Sequence, residues 1–305
     1  MSVASAALLF CVLGKMTKQL ECLIISPIEA IVERIGKGVL TVKKMLMVLT
    51  VIFCLLSSAY ATEPTDFSDD NFDQARGLAN FLEDHYGITI LIGDECKSVA
   101  TDGFELGDRP SGRTPLLDML GQVDYDAEIK RIDDCFAAYP GGFFGNFRCS
   151  EAEKGLRILL PNRITVEGST MAGVTTVQDG YYNIFLGIGA YNSLNVHHEI
   201  WHAMEYRITL DYPDAFDGWT ELNPDGFQYD DNYFQEDIWT YAEPKDDYFV
   251  RGYSVVNEME DRATVIEAIF AEDTDWWAEH PLIQRKLGAL LAAVKPVFGN
   301  VYFHE

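Results

Sequence analysis

The spacing of apolar residues changes several times along the chain. From Pro115 to Tyr139 they recur at helical intervals, at Leu116, Leu117, Leu120, Val123, Ile129, Ile132 and Phe136, until Pro140-Gly141-Gly142 ends the run. Ahead of it, the acidic segment "TDFSDDNFDQARGLANFLEDHYG" predicts a helix capped by Asp70 or Asn71 and stopped by Gly87, and "ITILIG" follows as a buried strand. Residues 97–113, rich in Gly, Asp and Ser, predict a loop. Four β-like runs come next, "LRILLP", "RITVEG", "GVTTVQ" and "YYNIFLGIG", and Asp179-Gly180 predicts a hairpin between the last two. At about Ser193 the period becomes helical again and holds to about Ile208. A loop-rich aromatic stretch then runs to about residue 250, and two helices follow near 257–272 and 281–294, the second limited by Pro296. With no internal repeat, linker or low-complexity segment, the order predicts an α+β fold. N-terminal helices and a small twisted mixed sheet come first, then a helix that carries the chemistry, then a mainly helical C-terminal part.

The first 61 residues stand apart. In "KKMLMVLTVIFCLLSSAYA" a basic pair, Lys43 and Lys44, precedes an apolar run and small residues at Ala59 and Ala61. That is the pattern of a signal peptide cleaved after Ala61, with Met45 as the true start and residues 62–305 as a single domain. The run Met45 to Leu56 is short for a membrane span, so secretion or residence in the periplasm is expected, with an uncleaved anchor as the alternative. Removing residues 1–61 leaves 17 basic against 45 acidic residues, a balance of −28, which argues against nucleic acid and anionic lipid as partners. Three cysteines remain, Cys96, Cys135 and Cys149, enough for one disulfide and a spare thiol. Sequence cannot choose the pairing, although Cys135 with Cys149 would close a short loop around "YPGGFFGNF".

The segment "NVHHEIWHAMEYR" contains "HEIWH", which fits HExxH. Residues four apart share a helix face, so His198 and His202 can present their imidazoles to one ion while Glu199, one step round, reaches a water beside it. His197 points about 100° away, and Glu205, three residues after His202, would strain a tetrahedron. The extended HExxHxxGxxH pattern fails because positions 205 and 208 are Glu and Ile. A third ligand must therefore come from elsewhere, since a catalytic zinc takes three from the protein. In "RGYSVVNEMEDRATVIEAIF", Met259, Ala263, Ile266 and Phe270 form an apolar stripe, with Glu260, Thr264 and Glu267 on the neighbouring face. Glu260 is a candidate ligand there. Asn257 three residues before it is also a capping-box-like pattern, in which Glu260 would cap its own helix.

Together these segments resemble the gluzincin metallopeptidases of the anthrax lethal factor and secreted Pro-Pro endopeptidase type, and related families of zinc-binding peptidases. The resemblance covers roughly residues 180–272. In those families HExxH supplies two histidine ligands and a base, and a later helix supplies a glutamate in a motif like E-x-x-A-E, with a tyrosine seven residues before it. The sequence "YSVVNEMEDRA" places Tyr253 seven residues before Glu260 and Ala263 three after. The resemblance thus implies a zincin-like fold, one Zn2+ per chain held by His198, His202 and Glu260, Glu199 as general base and Tyr253 as oxyanion donor. An aromatic residue near a helix start can equally well pack. Thr264 stands where the motif has its second glutamate, which leaves the support of a ligand histidine to Glu267 or Asp261, and Asp261 is expected at the surface. The gap before Glu260 is longer than in the toxin. It holds Trp219, Asn223, Phe227 and Tyr229, as a cleft wall or as a packed loop.

The function these readings predict is an exported zinc metallopeptidase that hydrolyses a peptide or protein substrate with zinc-activated water. The alternative is a non-catalytic exported zinc-binding protein with a structural or vestigial site. A zinc-free helix-packing motif is a third reading. Retention of Glu199 favours the enzyme, because a structural site has no use for a base.

Overall fold

The computed structural model describes residues 68–108, 124–229 and 247–301. The upstream segment and signal peptide expected over 1–61, the 115–123 part of the helical run and the 230–246 part of the aromatic stretch lie outside the described residues.

Helix α1 (Ser68–Tyr86) begins slightly before the expected cap and ends where Gly87, at φ 70°, donates back to the Glu83 carbonyl. The main sheet combines β1 (Thr89–Ile92), β3 (Gly155–Leu160), β6 (Gly173–Gln178) and β7 (Tyr181–Leu186) in the order β1-β3-β7-β6. The first two pairings are parallel and the last is antiparallel, so the sheet is mixed, as expected. Every residue of β3 is buried, which explains its nearly unbroken apolar run. Its one charge, Arg157, donates to the Asn183 side chain at 2.7 Å and lies over the Tyr181 ring.

A second sheet of three short antiparallel strands, β2 (Glu105–Gly107), β4 (Arg163–Val166) and β5 (Ser169–Met171), was only partly legible. β2 lies inside the expected loop at 97–113, and residues 93–98 form a 3-10 turn. Two two-residue hairpins hold the strands in register. The predicted turn at Asp179-Gly180 has φ of 56° and 79°, and Glu167-Gly168 repeats it at 48° and 84°, both with the positive φ pair that matches strand twist.

Helix α2 (Tyr125–Phe136) is capped by Asp124, whose carboxylate accepts from the Ala127 N–H. Helix α3 (Ser193–Asp211), capped by Asn192, packs on β6 and β7 and against α2, α4 (Glu258–Ala271) and α6 (Pro281–Phe298). Val196, Ile200, Trp201, Ala203, Met204 and Ile208 are at most 1% exposed, so the middle of α3 is core on nearly every side. Pro296 does not end α6. It falls in the last turn, where one backbone donor is forgone, and the helix runs on to Phe298. A short helix not anticipated from the pattern, α5 (Thr274–Glu279), is nucleated by Asp273, which accepts from the N–H groups of Asp275 and Trp276.

The favoured Cys135–Cys149 disulfide is absent: all three described cysteines are free. Cys135 turns toward the Ser193 carbonyl on α3 and Cys149 toward the Tyr182 hydroxyl on β7, so their sulfurs serve different layers. Among the described residues no helix is long and apolar enough to cross a membrane.

Candidate metal centre

Helix α3 puts His198 and His202 one turn apart on the same buried face, with Nε2 atoms 2.9 Å from each other. Helix α4 crosses opposite, and its first turn brings Glu260 Oε2 to 2.9 Å from His198 Nε2 and 3.5 Å from His202 Nε2. Of the two readings of Glu260 the structure favours the ligand position: the cap of α4 is the Asn257 side chain, whose Oδ1 accepts from the backbone N–H of Glu260, while the Glu260 carboxylate faces the histidines.

These three donors fit a cation. A tetrahedral ion with bonds of about 2.0 Å spaces its donors at about 3.3 Å, close to the separations observed. His198 Nδ1 lies 2.7 Å from Glu267 Oε1, so the proton belongs on Nδ1 and the Nε2 lone pair faces the Glu260 carboxylate. Glu260 Oε2 is buried and makes no hydrogen bond of acceptable geometry. Lone pairs crowded in this way call for a positive charge among them. Titration expresses the same demand. Burial works against a charged His198, yet the negative carboxylates of Glu260 and Glu267 on either side of the ring would raise it to about 10 with no cation present. Burial likewise opposes the Glu260 anion, but His202 and His198 hold it well below the usual carboxylate range.

Glu267 thus takes the supporting position that Thr264 cannot fill, and Arg251 Nη2 donates to the same oxygen at 2.6 Å. Thr264 instead bonds the Ser254 hydroxyl and the Asp261 carbonyl. Glu205 stays out of the cluster, gripped by Arg262 at 2.7 and 3.1 Å and by Trp201 Nε1.

His197, as expected, faces away. It stacks on Phe270 with centroids 3.5 Å apart and meets the Tyr139 hydroxyl at 3.1 Å. Burial lowers its pKa from 6.5 to about 4, a difference equivalent to ~3 kcal/mol. A base depressed on folding is stabilising above its unfolded pKa, and that contribution is lost as pH falls toward 4. Chemical denaturation at pH 7 and pH 4 is therefore expected to show a loss ~3 kcal/mol larger for the native chain than for His197→Asn, which keeps an acceptor but does not titrate. Equal losses would show that His197 is not held neutral.

Glu199 sits at the floor of an open cleft of about 250 Å³, between the cluster and edge strand β6. Its Oε2 accepts from the Thr175 hydroxyl at 2.6 Å, and its backbone carbonyl accepts from the same hydroxyl at 3.2 Å. Gly173 makes the approach possible: a Cβ there would lie 2.7 Å from the Glu199 carboxyl carbon. Burial raises the Glu199 pKa, opposed by the charges of His202 and His198. Tyr253, in the 3-10 turn Gly252–Val255, lines the same cleft with its ring centroid 6.0 Å from that of His198. The structure therefore brings Glu199 and Tyr253 to the three donor residues.

Sequence reasoning missed Thr175, Gly173 and Tyr206 and read Met259 only as part of an apolar stripe; all four line the cleft. For Tyr206 the signal was available, since it follows His202 by four residues on the same helix face.

Asp261 corrects an expectation. It is 0% exposed, with Lys286 Nζ of α6 at 2.7 Å, Tyr229 OH at 2.7 Å and Trp219 Nε1 at 3.0 Å. Trp219 and Tyr229 therefore belong to a packed loop, tied to the residue that follows Glu260.

No family model and no curated relative matches the chain. Among solved structures it is similar to a Bacteroides caccae protein provisionally assigned as a zinc-binding metallo-peptidase. The identity is 15%, with 76% of this chain and 88% of that chain covered and a TM-score of 0.43. A likeness this distant carries no argument about function, which has to come from the side chains of the cleft.

Proposed function

We propose that the chain is a zinc metallopeptidase of gluzincin type, hydrolysing peptide bonds in the cleft between α3 and β6. The observation that carries this reading is the convergence of the His198, His202 and Glu260 donor atoms, all within 4.8 Å of one another, beside a buried carboxylate that is not one of them. Two histidines and a glutamate are a donor set of catalytic zinc sites, which keep one position open. Among the described residues the cluster holds only these three side chains, and the cleft leaves one side accessible, which favours an enzyme over a closed structural site.

Zinc, when bound, would supply Lewis-acid activation of water and of the scissile carbonyl. The chain's own residues do the rest. Thr175 holds Glu199 Oε2 and fixes the carboxylate at the cleft floor, where it takes a proton from the attacking water and returns it to the leaving amine. Burial raises the Glu199 pKa, which favours its taking up a proton from the water before giving it to the leaving amine. Tyr253, which lines the same cleft, would donate to the developing oxyanion. Among the described residues β6 is the last strand of its sheet, and its outer edge can pair with an extended peptide and hold that backbone along the cleft.

Elemental analysis of purified protein after dialysis against a weak chelator is expected to give about one zinc per chain. Glu260→Ala is expected to lower that content sharply under the same dialysis. Unchanged zinc in the variant would reassign the third ligand, and no zinc in folded native protein would remove the basis for the peptidase.

A further inference from the structure

The cleft continues past the cluster. Tyr206 also lines a second hollow of about 280 Å³, with Val177, Tyr182 and Leu210 as its apolar walls and Glu151 and Thr209 beside them. Val177 is 43% exposed, Tyr206 38% and Leu210 40%, so large apolar side chains from a strand and a helix meet at the surface there.

The backbone of β6 leads into this hollow. Its two-residue turn makes Gln178 and Tyr181 a hydrogen-bonded pair, and such pairs alternate along an antiparallel ladder. The N–H and C=O groups of Gly173, Thr175 and Val177 therefore point away from β7, to the edge that pairs with no further strand among the described residues. Their side-chain positions face α3, as the Thr175 bond to Glu199 shows. Along the strand, Val177 is ~7 Å beyond Thr175 and ~13 Å beyond Gly173. Along α3, Tyr206 is ~6 Å and Leu210 ~12 Å beyond His202. Both rulers place the hollow two to four extended residues from the cluster, in line with the edge strand.

We propose that the hollow of Val177, Tyr182, Tyr206 and Leu210 is a subsite for a large apolar side chain of the peptide substrate, two to four residues from the bond that is cut. A peptide that adds antiparallel to β6 has its N-terminal part toward Gln178, so the subsite reads a residue on the N-terminal side of that bond. The inference rests on the peptidase reading above.

The test uses the zinc-loaded full chain and a peptide series in which one Phe is moved through alanine positions around the cleaved bond. The expected result is a kcat/KM about tenfold or more higher when Phe stands at one position within that N-terminal window. The ratio should fall toward one in Val177→Lys and in Leu210→Lys, with zinc content unchanged. Equilibrium binding to Glu199→Gln should show the same preference without turnover. Cleavage with no preference in the window, or a preference that survives both lysine variants, overturns the subsite and leaves the peptidase reading standing. Failure of the zinc-loaded chain to bind or cleave any peptide overturns both.

Discussion

Glu199→Gln is expected to keep one zinc per chain and an unchanged fold while peptide turnover falls by about 10²–10⁴-fold, the usual contribution of a positioned acid–base group. The geometry makes this substitution informative. Glu199 is not one of the three converging donors, so its loss should not release the ion. The amide oxygen of Gln can accept from Thr175 as the carboxylate does, so the side chain should stay in place. Burial penalises the carboxylate, as its raised pKa shows, and a neutral amide at the same position should leave the melting temperature equal or higher. The loss should fall on kcat, with KM little changed, because a proton carrier acts in the transition state more than in binding. Near-normal kcat in a zinc-replete variant would sink the assignment of Glu199 as base. Loss of zinc would show instead that Glu199 is needed to hold the ion.

The legible parts of the site were those written within single helices. His198, Glu199 and His202 follow from the period of α3, and Glu260 and Glu267, seven apart, follow from one face of α4. Their meeting at 2.9 and 2.7 Å depends on how two helices pack, yet the apolar stripe beside Glu260 already pointed that face inward. The hairpin at Asp179-Gly180 was legible for a comparable reason, since two consecutive positive-φ positions require that kind of turn.

The parts that were not legible depend on distant partners. Thr175 and Gly173 matter only because β6 is the edge strand beside α3, and strand order is a tertiary fact. Helix α5 rests on a single cap at Asp273, too short a signal to stand out from the loops around it. Asp261 was read as a surface charge because nothing within its own helix pairs with it. Its cation comes from a lysine 25 residues later, on a helix whose pattern marks it only as amphipathic. A buried lysine looks, in sequence, like an exposed one.

That lysine supports the second large expected effect. Lys286→Met is expected to lower folding stability by about 3–5 kcal/mol, as removal of one member of a buried ion pair does. Both side chains of the pair are 0% exposed, and each offsets the cost of burying the other: burial pushes Asp261 up and Lys286 down, and their mutual attraction opposes both shifts. Without the ammonium, Asp261 retains its bonds from Tyr229 and Trp219 but has no counter-charge. Met fills most of the volume and keeps contact with Phe249, so a cavity should contribute little. The double variant Asp261→Asn/Lys286→Met then separates charge from packing. It should recover most of the lost stability, because a neutral amide can still accept from Trp219 and Tyr229. Denaturant titration of both variants decides it, and a double variant no more stable than Lys286→Met would show that the lysine acts through packing alone. Zinc retention is the linked readout. Asp261 follows Glu260 in the first turn of α4, and the ion pair ties that turn to α6. Loosening that tie should weaken zinc binding in Lys286→Met and restore it in the double variant, even though neither altered side chain touches the ion.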